Sequence, residues 1–266
     1  MIDNKTIYQV DAFSEEPFKG NTAGVMIVDK DITTEWMQNM ALEMNLSETA
    51  FITPQDNKFE IRYFTPLREV PLCGHATLAS AHILYELGIV KQNETIFFKA
   101  KGADLEIKKD SSWIIMNFPK YPLIKIDTPP GFNKTIGFEP TEVYSSLYGW
   151  IVAVGMSENE ILNSKPNFDI MNSQGLGFLM ITAKSESKNI DFVVRCFGPI
   201  LGVNEDPATG SAHCALTPLW SDKLNKLEMN SFQLSKRTGT LKVKLIDDRV
   251  EIKGKAVTIF KAQLKI

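Results

Sequence analysis

Ala76-Thr77-Leu78-Ala79-Ser80-Ala81-His82 returns later in the chain as Ala208-Thr209-Gly210-Ser211-Ala212-His213, with one residue deleted. Each copy follows a strand-like run and a tight loop, and each opens a stretch of helical character. Short matches of this kind are common. Between the copies, however, lies Pro119–Gly131, which holds Pro119, Pro122, Pro129 and Pro130. Proline lacks the N–H that a sheet ladder needs, so this stretch reads as a linker. Repeat and linker together predict two similar α+β halves with a site in the cleft between them.

Working outward from the repeat, Leu78, Ala81, Leu84 and Leu87 recur every third residue, and Gly88 is placed to end a helix running from Thr77 to about Leu87. A second helix is expected from near Thr209 to about Trp220. Thr33 or Thr34 can cap another over about 34–44, with Trp36, Met37, Met40, Ala41 and Met44 as its apolar stripe. Alternating or apolar runs predict strands at 6–13, 25–28, 46–52 and 59–65, and three more between 95 and 118. Further strands are expected near 147–154, 177–183, 191–197, 241–245, 249–252 and 256–260, with a polar helix around 157–164.

Composition bounds the function. The 266 residues are 44% apolar and 23% charged, which suits a globular protein of one large domain or two smaller ones. A net charge of −3 argues against nucleic acid as a partner. No apolar run has the length of a membrane span, and the first residues lack a signal-peptide core, so a cytoplasmic protein with no membrane partner is expected. The three cysteines, Cys73, Cys196 and Cys214, are odd in number and show no C-x-x-C spacing. With only His75, His82 and His213 and no H-E-x-x-H, neither a structural nor a catalytic metal is expected.

Several residues carry candidate chemistry. A helix N-terminus offers free N–H groups to anions, so the helix starts at 75–77 and 209–211 suit a small anionic substrate. Gly74, Ala76, Gly210 and Ser211 would let it approach the backbone; the alternative is two ordinary tight helix starts. Glu48 is the one charged residue between Met44 and Pro54. In a closed cleft, desolvation would tune it for proton transfer; otherwise it is an exposed strand carboxylate. His75 is either a structural hydrogen-bonder or a substrate ligand, and Asp206 either a turn aspartate or an acceptor for a substrate amine or hydroxyl. Cys73 at a helix start invites a thiolate reading, but the matching position in the second copy is Pro207, so packing is the favoured role. Cys196, Cys214, His82 and His213 read as structural.

These residues fall in an ordered set of motifs: Gly20-Asn21-Thr22-Ala23-Gly24-Val25, Asn45-Leu46-Ser47-Glu48-Thr49-Ala50-Phe51, Tyr63-Phe64-Thr65-Pro66, Pro71-Leu72-Cys73-Gly74-His75-Ala76-Thr77 and Glu205-Asp206-Pro207-Ala208-Thr209-Gly210-Ser211-Ala212. From about Tyr8 to Phe260 the chain closely resembles the PhzF-like isomerase family of phenazine biosynthesis, in its broadly distributed branch. The resemblance implies a diaminopimelate-epimerase-like α+β fold of two pseudo-symmetric domains, each a curled, mostly antiparallel sheet around a central helix. The halves are read as 1–118 and 119–255, with the final strand, 256–266, returning to the first. It also implies no cofactor and no metal, and a homodimer. Carried over, Glu48 moves a proton between two carbons of a small, cyclic carboxylic acid. His75 and Asp206 hold its polar substituents, Gly210 and Ser211 its carboxylate, and Asn21 and Gly74 line the pocket. Two alternatives stand beside this isomerase: a Cys73-dependent amino-acid racemase or epimerase, and a non-catalytic protein-binding module on the same fold.

Overall fold

The computed structural model describes residues 5–146 and 149–265. The chain divides into two compact units, Met1–Asn117 with Ile252–Ile266, and Phe118–Glu251. In the first, β1 (Thr6–Ala12) and β2 (Asn21–Ile27) form an antiparallel pair, and α1 (Thr34–Met44) leads to β3 (Glu48–Gln55), which pairs parallel with β2. β4 (Lys58–Phe64) returns antiparallel to β3 and carries the short β5 (Glu69–Val70). Then come α2 (Gly74–Glu86), β6 (Ile96–Lys99), β7 (Asp104–Asp110) and β8 (Trp113–Pro119). β6 runs parallel to β4, and β7 and β8 continue antiparallel.

The second unit repeats this order. After β9 (Leu123–Ile126) and α3 (Phe132–Ile136), β10 (Glu142–Ser146) pairs antiparallel with β11 (Trp150–Val154). The helices α4 (Glu158–Asn163) and α5 (Phe168–Ser173) lead to β12 (Phe178–Lys184), parallel to β11. β13 (Phe192–Gly198) returns antiparallel and carries the short β14 (Val203–Asp206). Then follow α6 (His213–Leu224), β15 (Glu228–Gln233) parallel to β13, and β16 (Gly239–Ile246) antiparallel to β15. The sense of every pairing from β1 to β7 therefore recurs from β10 to β16, and the two sequence repeats sit at matching places, after β5 and after β14. β17 (Arg249–Gly254) leads to β18 (Ala256–Gln263), which pairs antiparallel with β1. In the second unit β9 fills the matching place beside β10.

Each half wraps apolar surface around its central helix. In α2, His75 through Ala81 and Ile83 through Tyr85 are all buried, and the helix packs on β1, β2, β3 and β18. Burial on every face explains its low amphipathicity. At Gly254 the sheet comes so close that an added Cβ would lie 2.4 Å from Leu78. A second core in the first unit joins Met37 and Ala41 of α1 to Ile7, Met26, Phe51 and Phe64. In the second unit, Phe132, Ile136, Ile161 and Met171 of the short helices pack against Val143, Leu179, Ile181 and Phe197. Among the described residues no helix is long and apolar enough to cross a membrane.

Several expectations are corrected. The stretch expected as a linker contains β9: its prolines leave Leu123–Ile126 free to pair with β10. β2 begins at Asn21, four residues before the strand expected at Val25. β3 runs past the strand end expected at 52, through Pro54, which pairs with Phe59 of β4, to Gln55. α2 begins at Gly74 rather than Thr77, whereas α6 begins at His213 rather than Thr209. In the second copy the N–H of Thr209 donates to the side chain of Gln233 (2.8 Å), and four-residue turns closed on the Gly210 and Ser211 carbonyls lead into the helix. Pro218 sits inside α6. Its missing N–H leaves the Cys214 carbonyl to accept from Tyr121 N–H instead, at 2.9 Å. β5, β10, β14, β15, α3 and α5 lie outside the expected elements, and part of the strand expected near 147–154 falls on residues 147 and 148, outside the described ones.

Candidate active site

The first unit gathers its chemistry where β2, β3 and α2 begin. Asp11, buried in β1, accepts from Thr22 Oγ1 (2.6 Å) and Phe18 N–H (2.8 Å), folding the intervening loop back onto the strand. Gly20 completes that turn at φ +67°, with no room for a Cβ beside the Ala12 carbonyl. Asn21 thereby opens β2. The parallel register sets Ala23 opposite Glu48, the first residue of β3, and Gly24 opposite Thr49. Thr49 lies so close over Gly24 that a Cβ there would meet its Oγ1 at 2.9 Å.

α2 supplies the third side. Cys73 is its N-cap, in extended conformation and without a side-chain cap bond. Thr77 reaches back to donate to the Cys73 carbonyl (2.7 Å), and Tyr63 O–H donates in turn to Thr77 Oγ1 (2.6 Å). Tyr63 and Thr77 are fully buried, and burial pushes the Tyr63 phenol above its usual range, so it remains a donor. This chain fixes the Cys73-Gly74-His75 turn against the sheet.

His75 is the hub. Its Nε2 lies 3.2 Å from Glu48 Oε2, and its Nδ1 lies 3.2 Å from Asn21 Nδ2. With the Asn21 amide donating to Nδ1, the ring proton resides on Nε2 and is donated to Glu48. Ser47 Oγ stands 3.4 Å from Nε2 and 3.4 Å from Asn21 Oδ1. Cys73 Sγ lies 3.5 Å from Nδ1 and 3.9 Å from Nε2. The Glu48 side chain is 20% exposed and that of His75 8%. Burial raises the Glu48 pKa, and hydrogen bonds from Ser47 and Cys73 pull it partly back. A carboxyl in this setting gains and loses a proton closer to neutrality than an exposed one does.

In the second unit, Asp206 ends β14 and its carboxylate accepts from Thr209 Oγ1. Gln233 of β15 clamps the loop, accepting from Thr209 N–H through Oε1 and donating to the Asp206 carbonyl through Nε2 (2.6 Å). Ser235 donates to the Pro207 carbonyl (2.6 Å). Gly210 is buried and Ser211 half-buried in the turns that enter α6. His213, fully buried, donates from Nδ1 to the Thr209 carbonyl (2.9 Å) and accepts at Nε2 from Ser231 (2.8 Å). Burial pushes its pKa down to about 4, so it is neutral.

The structure thus brings Asn21, Glu48, Gly74 and His75 to one place in the first unit, and Asp206, Gly210 and Ser211 to one loop in the second. Ser47 and Gln233 were missed. Ser47 is legible only beside Glu48, and Gln233 carries no local signal. Cys73 is buried, as the favoured packing role expects, and its sulfur also faces His75 and shares a hydrogen bond with Glu48. Cys196 and Cys214 are buried elsewhere, with burial raising both thiol pKa values, that of Cys214 to about 12. Spacing along the chain gave no metal motif. In space, Glu48, Cys73 and His75 present ligand atoms all within 4.8 Å of one another.

Residues 10–262 match the family model for phenazine biosynthesis-like proteins, PhzC-PhzF. An uncharacterized isomerase of Halalkalibacterium halodurans is 44% identical over 259 residues, covering 97% of each chain. The crystal structure of a PhzF-family phenazine biosynthesis protein from Enterococcus faecalis superposes with a TM-score of 0.94 at 35% identity, covering 98% of this chain and 99% of that one. A predicted epimerase from Pseudomonas aeruginosa, 20% identical, covers the same shares with a TM-score of 0.75 and shows the fold alone. These likenesses bear out the diaminopimelate-epimerase-like α+β fold.

Proposed function

The chain belongs to the PhzC-PhzF family of phenazine biosynthesis-like proteins, an isomerase family, and on that premise we propose that Glu48 is the general acid/base of a proton transfer between two carbons of a small carboxylic acid. The observation that carries the reading is the Glu48 carboxyl, four-fifths buried, beside His75 Nε2 at 3.2 Å. In the forward step a C–H bond breaks, the proton passes to a Glu48 oxygen, and the electron pair moves into the conjugated system. Glu48–H then returns the proton at the second carbon, so atoms and charge balance without a redox partner. His75, donating to Glu48 in the resting protein, would turn that N–H to the substrate's polar group. Asn21 fixes the ring's tautomer, and Gly74 lets the ligand approach the backbone. Asp206 would hold an amine or hydroxyl, and Gly210 and Ser211 the carboxylate. The reading needs no organic cofactor; it takes the protein to be a cytoplasmic homodimer and its substrate to be cyclic.

Cys73 supports a second reading, because its sulfur sits in the same cluster. There the thiol, not Glu48, would be the group that exchanges protons with carbon, as in an amino-acid racemase or epimerase. Turnover by Glu48→Gln and Cys73→Ala on cyclic diene acids and on amino acids separates the two. The Glu48 reading expects Glu48→Gln to lose at least about a hundredfold in kcat while still binding substrate. Retained turnover in Glu48→Gln with loss in Cys73→Ala would reverse the assignment.

A further inference from the structure

The Glu48–Cys73–His75 cluster combines three different metal-ligating chemistries in one buried place. Around a tetrahedral zinc ion, sulfur at about 2.3 Å and nitrogen or oxygen at about 2.0–2.2 Å stand some 3.3–3.6 Å apart. Here His75 Nε2 and Glu48 Oε2 are 3.2 Å apart, and Cys73 Sγ and His75 Nε2 3.9 Å apart. All three ligand atoms fall within 4.8 Å. Sγ lies nearer Nδ1, at 3.5 Å, than Nε2, so a shared ion on Nε2 requires the Cys73 side chain to rotate about Cα–Cβ and carry its sulfur toward Glu48 by more than an ångström. A ligating imidazole also needs a partner on its other nitrogen. Asn21, 3.2 Å from Nδ1, supplies it when its amide is turned end for end, with Oδ1 accepting from Nδ1–H.

We propose that Glu48, Cys73 and His75 form a three-ligand site for a borderline-soft divalent cation of the zinc class, whose binding shuts off proton transfer. The ion bonds to the thiolate, the carboxylate and Nε2, with water as the fourth ligand, and the thiol proton leaves to solvent. Mixed S, N and O donors favour zinc over magnesium or calcium, which take oxygen. Cation and substrate proton compete for the same Glu48 lone pairs. The shut-off, unlike the binding, rests on the role proposed above for Glu48.

Cobalt(II) is the probe, because its thiolate charge-transfer and tetrahedral d–d absorptions report the ligands without any turnover. The full-length protein is expected to show one thiolate–cobalt site per chain, displaced by one equivalent of zinc. Cys73→Ser should abolish the charge-transfer band. Asn21→Ala, which leaves all three ligands in place, should weaken binding about 10–100-fold. Absence of the band in the wild-type protein, or its survival in Cys73→Ser, overturns the site. In parallel, one equivalent of zinc should stop carbon-bound hydrogen exchange and a chelator restore it. Exchange that continues with zinc bound overturns the shut-off. Failure of the isomerase reading looks different: metal-free protein would then exchange nothing while the cobalt band stands.

Discussion

His213 should make the stability of the second unit depend on pH in a calculable way. In the folded protein it is buried and neutral, with both ring nitrogens committed to Thr209 and Ser231, and its pKa lies at about 4 against 6.5 unperturbed. Below pH 6.5 the unfolded chain binds a proton that the folded chain refuses. Stability is therefore fully present above pH 6.5 and lost as pH falls toward 4, below which the loss levels off. The gap corresponds to about 3 kcal/mol, a large share of a typical 5–15 kcal/mol. The assay is urea denaturation at a series of pH values, read by Trp220, which stacks on Phe192 beside His213. His213→Gln, which cannot titrate, serves as reference so that the other groups cancel. The wild type should lose about 3 kcal/mol relative to the variant between pH 6.5 and 4. A difference that stays flat across that range would refute the reasoning.

Two further substitutions test the supports of the two loops. Gly24→Ala places a Cβ 2.9 Å from Thr49 Oγ1, so it should cost about 1–3 kcal/mol and lower kcat by moving Glu48, and Thr49→Ala in the same chain should restore both in denaturation and turnover assays. Arg195 grips Glu205 with two nitrogens and donates to the carbonyls of Ile161 and Ser164; Arg195→Lys cannot reproduce that fork and should lower the denaturation midpoint by an amount equivalent to about 2–3 kcal/mol.

What the sequence made legible was local. Thr33 caps α1 through its hydroxyl to Trp36 N–H, and Asn45 closes the helix at φ +50°, both written in residue type. Glu48, as the one charge in its strand, and His75, at a helix start, could be picked out as candidates from local pattern, whereas Asn21 enters only through the resemblance of its motif to the PhzF-like family. Long-range events stayed hidden. α6 starts late, after turns closed on the Gly210 and Ser211 carbonyls, and Thr209 N–H goes to a glutamine 24 residues on; no window around Thr209 contains that contact. Four prolines outweighed the short apolar run of β9, which pairs with a strand not yet met in the chain. Cys73 was set aside because its repeat partner is Pro207, yet what places its sulfur beside His75 is the turn fixed by Tyr63 and Thr77, within its own unit. The match of pairing sense between β1–β7 and β10–β16 was announced only by a few small residues and a histidine.

The most direct test of the central claim is proton NMR in D₂O with a conjugated cyclic carboxylic acid, comparing wild type with Glu48→Gln. The account predicts deuterium entering carbon positions of the acid with wild type alone, both proteins being folded. Equal deuterium incorporation by Glu48→Gln would contradict it.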